Sequence, residues 1–291
     1  MRKYLFILGL ICFQVYGQTT RFFVSAHQDD WQLFMNPNVY HSIKTPGDKT
    51  VIVHTTAGDA GEGLGNDAYY KAREEGSLRA IRFLCNTNTS GAGYGTEMQR
   101  EHLSINGKKI VRYAYKNAVV YFLRLPDGNS KGQGYKRHDY KSLNKLFKGE
   151  VNNIHTIDHS AIYKDKQDLM RTLALLVQTE RLTGSIEFHL PDTDQTINPN
   201  DHSDHQNSSK LFQVVGRQLG GLTFYFYVNY FSAQKPLNST PEELLIAAGT
   251  WGATTSGIGD LRHYSTWDRL HNVWLGRQYF RTEKIKSNPK E

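Results

Sequence analysis

Apolar and β-prone residues in this chain cluster in short runs, and the segments between them repeat their apolar residues at helical spacing. The strands predicted are Arg21-Phe-Phe-Val-Ser25, Val51-Ile-Val-His54, Val119-Val-Tyr-Phe-Leu-Arg-Leu125, Ser185-Ile-Glu-Phe-His-Leu190 and residues 222–230. Residues 67–84 read as a helix with Tyr70, Leu78, Ile81 and Leu84 inward. Residues 166–182 read as another, with Leu169, Leu173, Leu176 and Val177 sharing a face, and residues 203–219 as a third. The polar stretch 90–116 suggests a hairpin insertion closed at Asn106-Gly107. Pro126-Asp-Gly128 is a strong turn signal.

Strands alternating with helices predict an α/β fold: a Rossmann-like, three-layer αβα arrangement around a mostly parallel sheet. Right-handed crossovers would gather the strand ends at one edge and bring His27, Gly58, Asp127 and His205 to a common crevice. Glycines 58, 61, 63 and 65 lack the order of a dinucleotide fingerprint and instead suggest a tight, accessible turn. Beyond Tyr230 the chain is aromatic and Gly-rich, with Trp251, Tyr264, Trp267, Trp274 and Tyr279. This part is expected to pack as a C-terminal elaboration, although exposed rings there could also stack on sugars.

The chemistry concentrates where the first strand ends, in Ala26-His-Gln-Asp-Asp30. An imidazole with a carboxylate suits a divalent metal, and a second carboxylate beside it could take a proton from metal-bound water. Asp201-His-Ser-Asp-His205 could supply a further ligand, and Asp204 could hold an imidazole by its second nitrogen. Either cluster alone is as compatible with a surface turn or helix cap; the two together suggest a split metal site.

These residues carry a resemblance. Ala26-His-Gln-Asp-Asp30 is similar to the Ala-His-Pro-Asp-Asp signature of the PIG-L/LmbE-like N-deacetylases, and His202-Ser-Asp-His205 to their His-Pro-Asp-His motif. Thr55-Thr-Ala-Gly-Asp-Ala-Gly61 and Leu123-Arg-Leu-Pro-Asp-Gly128 resemble two intermediate family motifs in order and spacing. The match runs from about Arg21 to Leu219. Gln28 and Ser203 depart from the family prolines, and Trp31 stands where many members carry Glu.

The resemblance implies that His27, Asp30 and His205 bind Zn2+, or another divalent metal. Asp29 would be the general base as metal-bound water attacks an amide. His202, if protonated, would face the oxyanion, and Asp204 would orient an imidazole. Arg73 and Asp127 would touch substrate hydroxyls, or serve a salt bridge and a turn cap. The implied activity is removal of acetate from an N-acetylated amino sugar, of the N-acetylglucosamine type, in a glycan or glycoconjugate. The alternatives are a non-catalytic carbohydrate-binding protein on the same scaffold, or cleavage of a different amide.

Arg2 and Lys3 before the apolar run Leu5 to Phe13 read as a secretory signal over residues 1–17, too short to span a bilayer. The expectation is an exported protein, periplasmic or secreted, with a deacetylase domain over 18–230 and an extension over 231–291 on the same domain. No second stretch could span a membrane. A net charge of +7, two of it in the signal, comes without a basic block that would argue for nucleic acid. Of two cysteines only Cys85 would survive cleavage, and its apolar neighbours point to packing rather than catalysis.

Overall fold

A computed structural model describes residues 18–65, 68–87 and 97–287. The signal expected over 1–17 lies outside the described residues, as do Asp67 and the start of the expected hairpin insertion. In chain order the first half contains β1 (Thr19–Ser25), α1 (Asn38–Lys44), β2 (Lys49–Thr56), α2 (Tyr69–Thr87), β3 (Gln99–Ile105), β4 (Lys108–Tyr115) and β5 (Ala118–Leu125). Next come α3 (Leu143–Lys148), the short pair β6 (Ile154–His155) and β7 (Ile162–Tyr163), α4 (Lys166–Glu180), β8 (Ser185–Pro191) and α5 (Ser203–Leu219). The remainder contains β9 (Leu222–Tyr227), α6 (Pro241–Asp260), α7 (Arg269–Asn272) and β10 (Phe280–Ile285).

Eight strands form one sheet in the order β10-β9-β8-β1-β2-β5-β4-β3. The five central strands, β9 to β5, run parallel, and β10, β4 and β3 are antiparallel to their neighbours. Alternate residues of β1 feed different layers, which explains its unbroken apolar run. Phe22 and Val24 pack with Leu169, Leu173 and Phe212 of α4 and α5. Phe23 packs on the opposite face with Ile81 and Leu84 of α2 and with Trp251 of α6. The fold is therefore a three-layer α/β structure.

The hairpin closes where the sequence placed it. Asn106 and Gly107 both have positive φ, at 51° and 69°, as a two-residue type I′ turn requires. Asn106 also reaches across to Asp168 and Thr172 of α4 at 2.8 and 3.0 Å, pinning the hairpin to the helical layer.

Three elements of the C-terminal part, α6, α7 and β10, were not anticipated. β10 extends the sheet beside β9, while α6 packs closely along α2. At that crossing Gly76 and Gly257 face each other so tightly that a side chain on either would strike the partner's backbone. Cys85 is buried, and burial pushes its thiol up to about 12, which fits packing rather than reactivity.

The topology also fixes where a ligand can bind. From β1 the chain moves to β2 and β5 on one side, while β8 and β9 lie on the other. The loops after β1 and β8 thus diverge, leaving a crevice at the switch point of an open α/β sheet.

Candidate metal centre

The loop after β1 provides the first half of the site. Ser25 is the last strand residue, and the next five turn sharply. Asp30 has helical dihedrals (φ −61°, ψ −44°), and its Oδ2 accepts from the His27 backbone N–H at 2.7 Å. This local hydrogen bond folds the chain back, so adjacent Asp29 and Asp30 both line the cleft that extended backbone would have denied to one of them. The His27 carbonyl accepts from Ser25 Oγ and from His54 Nδ1, the latter at 3.2 Å.

A relay supports that carbonyl from behind. The Trp31 indole N–H donates to Ser77 Oγ at 3.0 Å, and Ser77 Oγ meets His54 Nε2 at 2.9 Å. Burial lowers His54 to about 3, so the ring is neutral and can accept at one nitrogen while donating at the other. Trp31 is thus fully buried and joined to the loop after β1 through Ser77 and His54.

The loop after β8 and the start of α5 provide the second half. His205 Nε2 lies 3.2 Å from His27 Nδ1 and 3.0 Å from Asp30 Oδ1, and His27 Nδ1 is 3.7 Å from the same oxygen. Two donors bound to one tetrahedral zinc at about 2.0–2.2 Å stand about 3.3–3.6 Å apart. The three distances straddle that value. Two imidazoles and one carboxylate also leave a coordination position open, so the donor set fits a catalytic zinc.

Each imidazole is held by its far nitrogen. His27 Nε2 meets Asp204 Oδ2 at 3.3 Å, and the same oxygen accepts from the Gly128 N–H at 2.8 Å. His205 Nδ1 meets Asp201 Oδ1 at 2.7 Å and Asn229 Nδ2 at 3.0 Å. These partners fix ring orientation and direct His27 Nδ1 and His205 Nε2 at each other.

Charge follows from this arrangement. Burial opposes protonation of His27, but Asp30 and Asp204 overcome it and hold the ring well above its ordinary range. Burial likewise opposes a charge on His205, and Asp201 and Asp30 overcome it. Burial disfavours the Asp30 anion, yet His205 and His27 hold its carboxyl well below the usual range. Two imidazolium nitrogens cannot comfortably face each other at 3.2 Å. A shared cation resolves that conflict without removing either ring's carboxylate partner.

The remaining predicted residues gather around this centre. His202 caps α5, its Nδ1 accepting from the Asp204 N–H at 3.1 Å. Burial and the charges of His27 and His205 lower it to about 2. It is therefore a neutral ring whose proton sits on Nε2, a donor that needs no protonation, unlike the cationic form entertained from sequence. Arg73 donates to the Gly58 carbonyl at 2.8 Å and forms an ion pair with Asp29 Oδ1. Among the described residues no protein group bonds Asp29 Oδ2. Asp127 accepts from Asn129 N at 2.8 Å and Ala60 N at 3.2 Å, closing its own turn at the cleft wall.

Sequence reasoning missed several residues of this cleft, whose volume is about 270 Å³. Tyr69, Tyr135, Tyr230 and His271 line it, beside Trp274, which the sequence had offered among rings that could stack on sugars. Tyr230 and Trp274 stack at 5.4 Å, and the indole N–H donates to the Tyr230 carbonyl at 3.0 Å. The C-terminal part therefore closes one wall. Asp201 stands four residues before His205, so the i,i+4 spacing could have pointed to it. Asn229 and the tyrosines arrive from distant chain with no local signal.

No protein-family model matches this chain, and no curated protein matches it. Among solved structures the chain is similar to N,N'-diacetylchitobiose deacetylase from Pyrococcus horikoshii complexed with its inhibitor. The identity is 13%, over 92% of this chain and 84% of that one, with a TM-score of 0.49. It is also similar to a conserved protein from Thermus thermophilus, at 16% identity over 93% of this chain and 94% of that one, with a TM-score of 0.41.

Proposed function

We propose that this protein is an exported zinc-dependent hydrolase that removes the acetyl group from an N-acetylated amino sugar. The observation that carries the reading is the convergence of His27 Nδ1, Asp30 Oδ1 and His205 Nε2 beside Asp29 and His202. The sugar and the export rest on the sequence: the four-motif resemblance for the first, residues 1–17 for the second.

Zinc at this centre would polarise the amide carbonyl and lower the pKa of a nearby water. The chain's own groups do the rest. Asp29 accepts the proton of the attacking water and returns it to the departing amine. Arg73 fixes the Asp29 carboxylate through Oδ1 and leaves Oδ2 for that exchange. His202 donates from Nε2 to the carbonyl oxygen as it becomes anionic. Asp204, Asp201 and Asn229 hold the two imidazoles in place. Tyr230 and Trp274, stacked on each other in the cleft wall, offer aromatic surface to a pyranose.

Acetate release across a panel of N-acetylhexosamine glycans, with and without a chelator, tests the reading. Chelator-sensitive release from at least one glycan is expected. A fully metallated protein that binds glycans and releases no acetate would instead be a carbohydrate-binding protein on this scaffold.

A further inference from the structure

The chain between α6 and α7, residues 261–271, borders the metal cleft, and helix packing fixes its place. Gly257 of α6 meets Gly76 of α2, and Gly249 meets Phe83, so the two helices run antiparallel. α6 therefore ends beside the start of α2, where Tyr69 and Arg73 line the cleft. From there the chain turns back along α6. The His263 ring lies 5.2 Å from that of Tyr69, and the Trp267 ring lies against Gly252. The His271 ring then stacks on Trp251 at 5.5 Å and lines the cleft itself. The segment thus begins and ends on the cleft wall.

Its backbone is held in place. The N–H groups of Arg262 and His263 donate to the Gly259 and Ile258 carbonyls at 2.9 and 3.3 Å. Thr266 is buried, and Asp268 caps α7 by accepting from the His271 N–H at 2.9 Å. On this backbone Tyr264 is 97% exposed, Leu270 75% and Trp267 48%. Large side chains clustered in solvent mark an interaction surface. The composition narrows its occupant. In Leu261-Arg-His-Tyr-Ser-Thr-Trp-Asp-Arg-Leu-His271 the rings alternate with hydroxyl, guanidinium and carboxylate groups, whereas the core of a protein interface is depleted of charge. A pyranose combines an apolar face with a rim of hydroxyls, which rings flanked by donors and acceptors match. The rings also continue those inside the cleft. His271 meets Trp274 edge-on at 6.1 Å, and Trp274 stacks on Tyr230.

We infer that residues 261–271 extend the sugar-binding surface of the cleft, with Tyr264 and Trp267 as stacking platforms for further units of a glycan chain. The substrate is then an N-acetylated polysaccharide or long oligosaccharide rather than a free mono- or disaccharide. The inference rests on the proposed deacetylase reading for the unit at the metal, and on the exposed rings for the length of the chain.

Calorimetric titration of the zinc-loaded full chain tests this with dimers and hexamers of β(1→4)- and β(1→6)-linked N-acetylglucosamine. In at least one series the hexamer should bind about tenfold more tightly than the dimer, as two added ring contacts predict. Tyr264→Ala/Trp267→Ala should erase that advantage, whereas Tyr264→Phe/Trp267→Phe, which keeps the ring faces, should retain most of it. Tyr264→Ala alone, with almost no packing to lose, should already reduce it. An advantage that survives the alanine pair, or dimer and hexamer alike in both series, absence of binding included, overturns the platform. Self-association that the alanine pair abolishes, without any length advantage, overturns it in favour of a second copy of this chain. Acetate release from the same glycans separates the two readings. Release from dimer and hexamer without a length advantage leaves the deacetylase and removes the platform. A length advantage lost in the alanine pair, with no acetate released from any glycan, leaves the platform and removes the deacetylase.

Discussion

The strands β1 and β8 carry buried histidines and acids at two levels, and the two clusters behave oppositely. Toward the amino ends, Arg21 of β1 pairs with Asp48 and, at 2.6 Å, with Glu187 of β8. His189 sits between the rings of Phe23 and Tyr225, at 4.1 and 4.4 Å, with Nδ1 on the Tyr227 hydroxyl at 2.7 Å. Its Nε2 stands 3.5 Å from Glu187, an ionic contact too long for a good hydrogen bond. Burial dominates and lowers His189 to about 4. Beyond the carboxyl ends, His27 and His205 are buried as deeply but are held well above their ordinary range. The difference lies in what faces what. Around Arg21 the charged donors meet acceptors, although His189 Nε2 finds no hydrogen-bond partner among the described residues. At His27, Asp30 and His205 two imidazole nitrogens and a carboxylate oxygen converge within 3.7 Å, and one divalent cation could serve all three. Burial of ionisable groups therefore does not mark a site; convergence of several metal-competent atoms on one point does.

Removing one of those atoms is the severest way to break the contrast. His205→Ala should lose stoichiometric zinc while remaining folded, measured by metal analysis after gel filtration. His189→Asn should keep its zinc. Equal metal content in both variants would erase the distinction between the clusters.

Asp29→Asn preserves the shape of the side chain and its contact with Arg73 while removing the base. Turnover should fall by roughly 10²–10⁴ with zinc content unchanged. Unaltered acetate release on a substrate that the parent cleaves would remove Asp29 from the mechanism.

Asp201 meets His205 Nδ1 through Oδ1, while its Oδ2 accepts from Asn198 and, at 3.4 Å, from Asn229, so Asp201→Asn acts on the centre only through the setting of that ring. Competition with a chromogenic chelator should show zinc affinity weaker by about 10–100-fold, as for other residues that orient a ligand. An unchanged affinity would mean that Asn229 alone sets the ring.

The smallest expected effect belongs to the cluster around Arg21. His189 is neutral when folded and titrates near 6.5 when unfolded, so its contribution is fully present above pH 6.5 and declines as pH falls toward 4. Urea unfolding at pH 7 and pH 5 should show the parent losing about 2 kcal/mol more than His189→Asn over that interval. A parallel decline in both proteins would assign the acid sensitivity to other groups.

How much of this was readable in advance depended on range. The central strands were visible because strands buried on both faces are rich in apolar and aromatic residues, and the Asn106-Gly107 turn because its dihedrals demand those residues. His27, Asp30 and His205 were visible because strand-end chemistry is compact in sequence. α6 was not, because Gly, Ala and Thr pack it against α2 and leave little amphipathic contrast. Thr240-Pro-Glu-Glu243 is nonetheless a capping box with Pro at the first turn, and could have announced it. Asn229, Tyr230 and Trp274 enter the cleft only through tertiary folding of the C-terminal part.

The central claim is that His27, Asp30 and His205 hold one metal. X-ray absorption at the zinc edge, on protein reconstituted with one equivalent of zinc, tests it most directly. The account predicts two imidazole nitrogens and oxygen donors at about 2.0–2.2 Å, with no sulfur, and loss of that two-imidazole signature in His205→Ala. A sulfur shell, a fully hydrated ion, or an imidazole signal identical in parent and His205→Ala would contradict it.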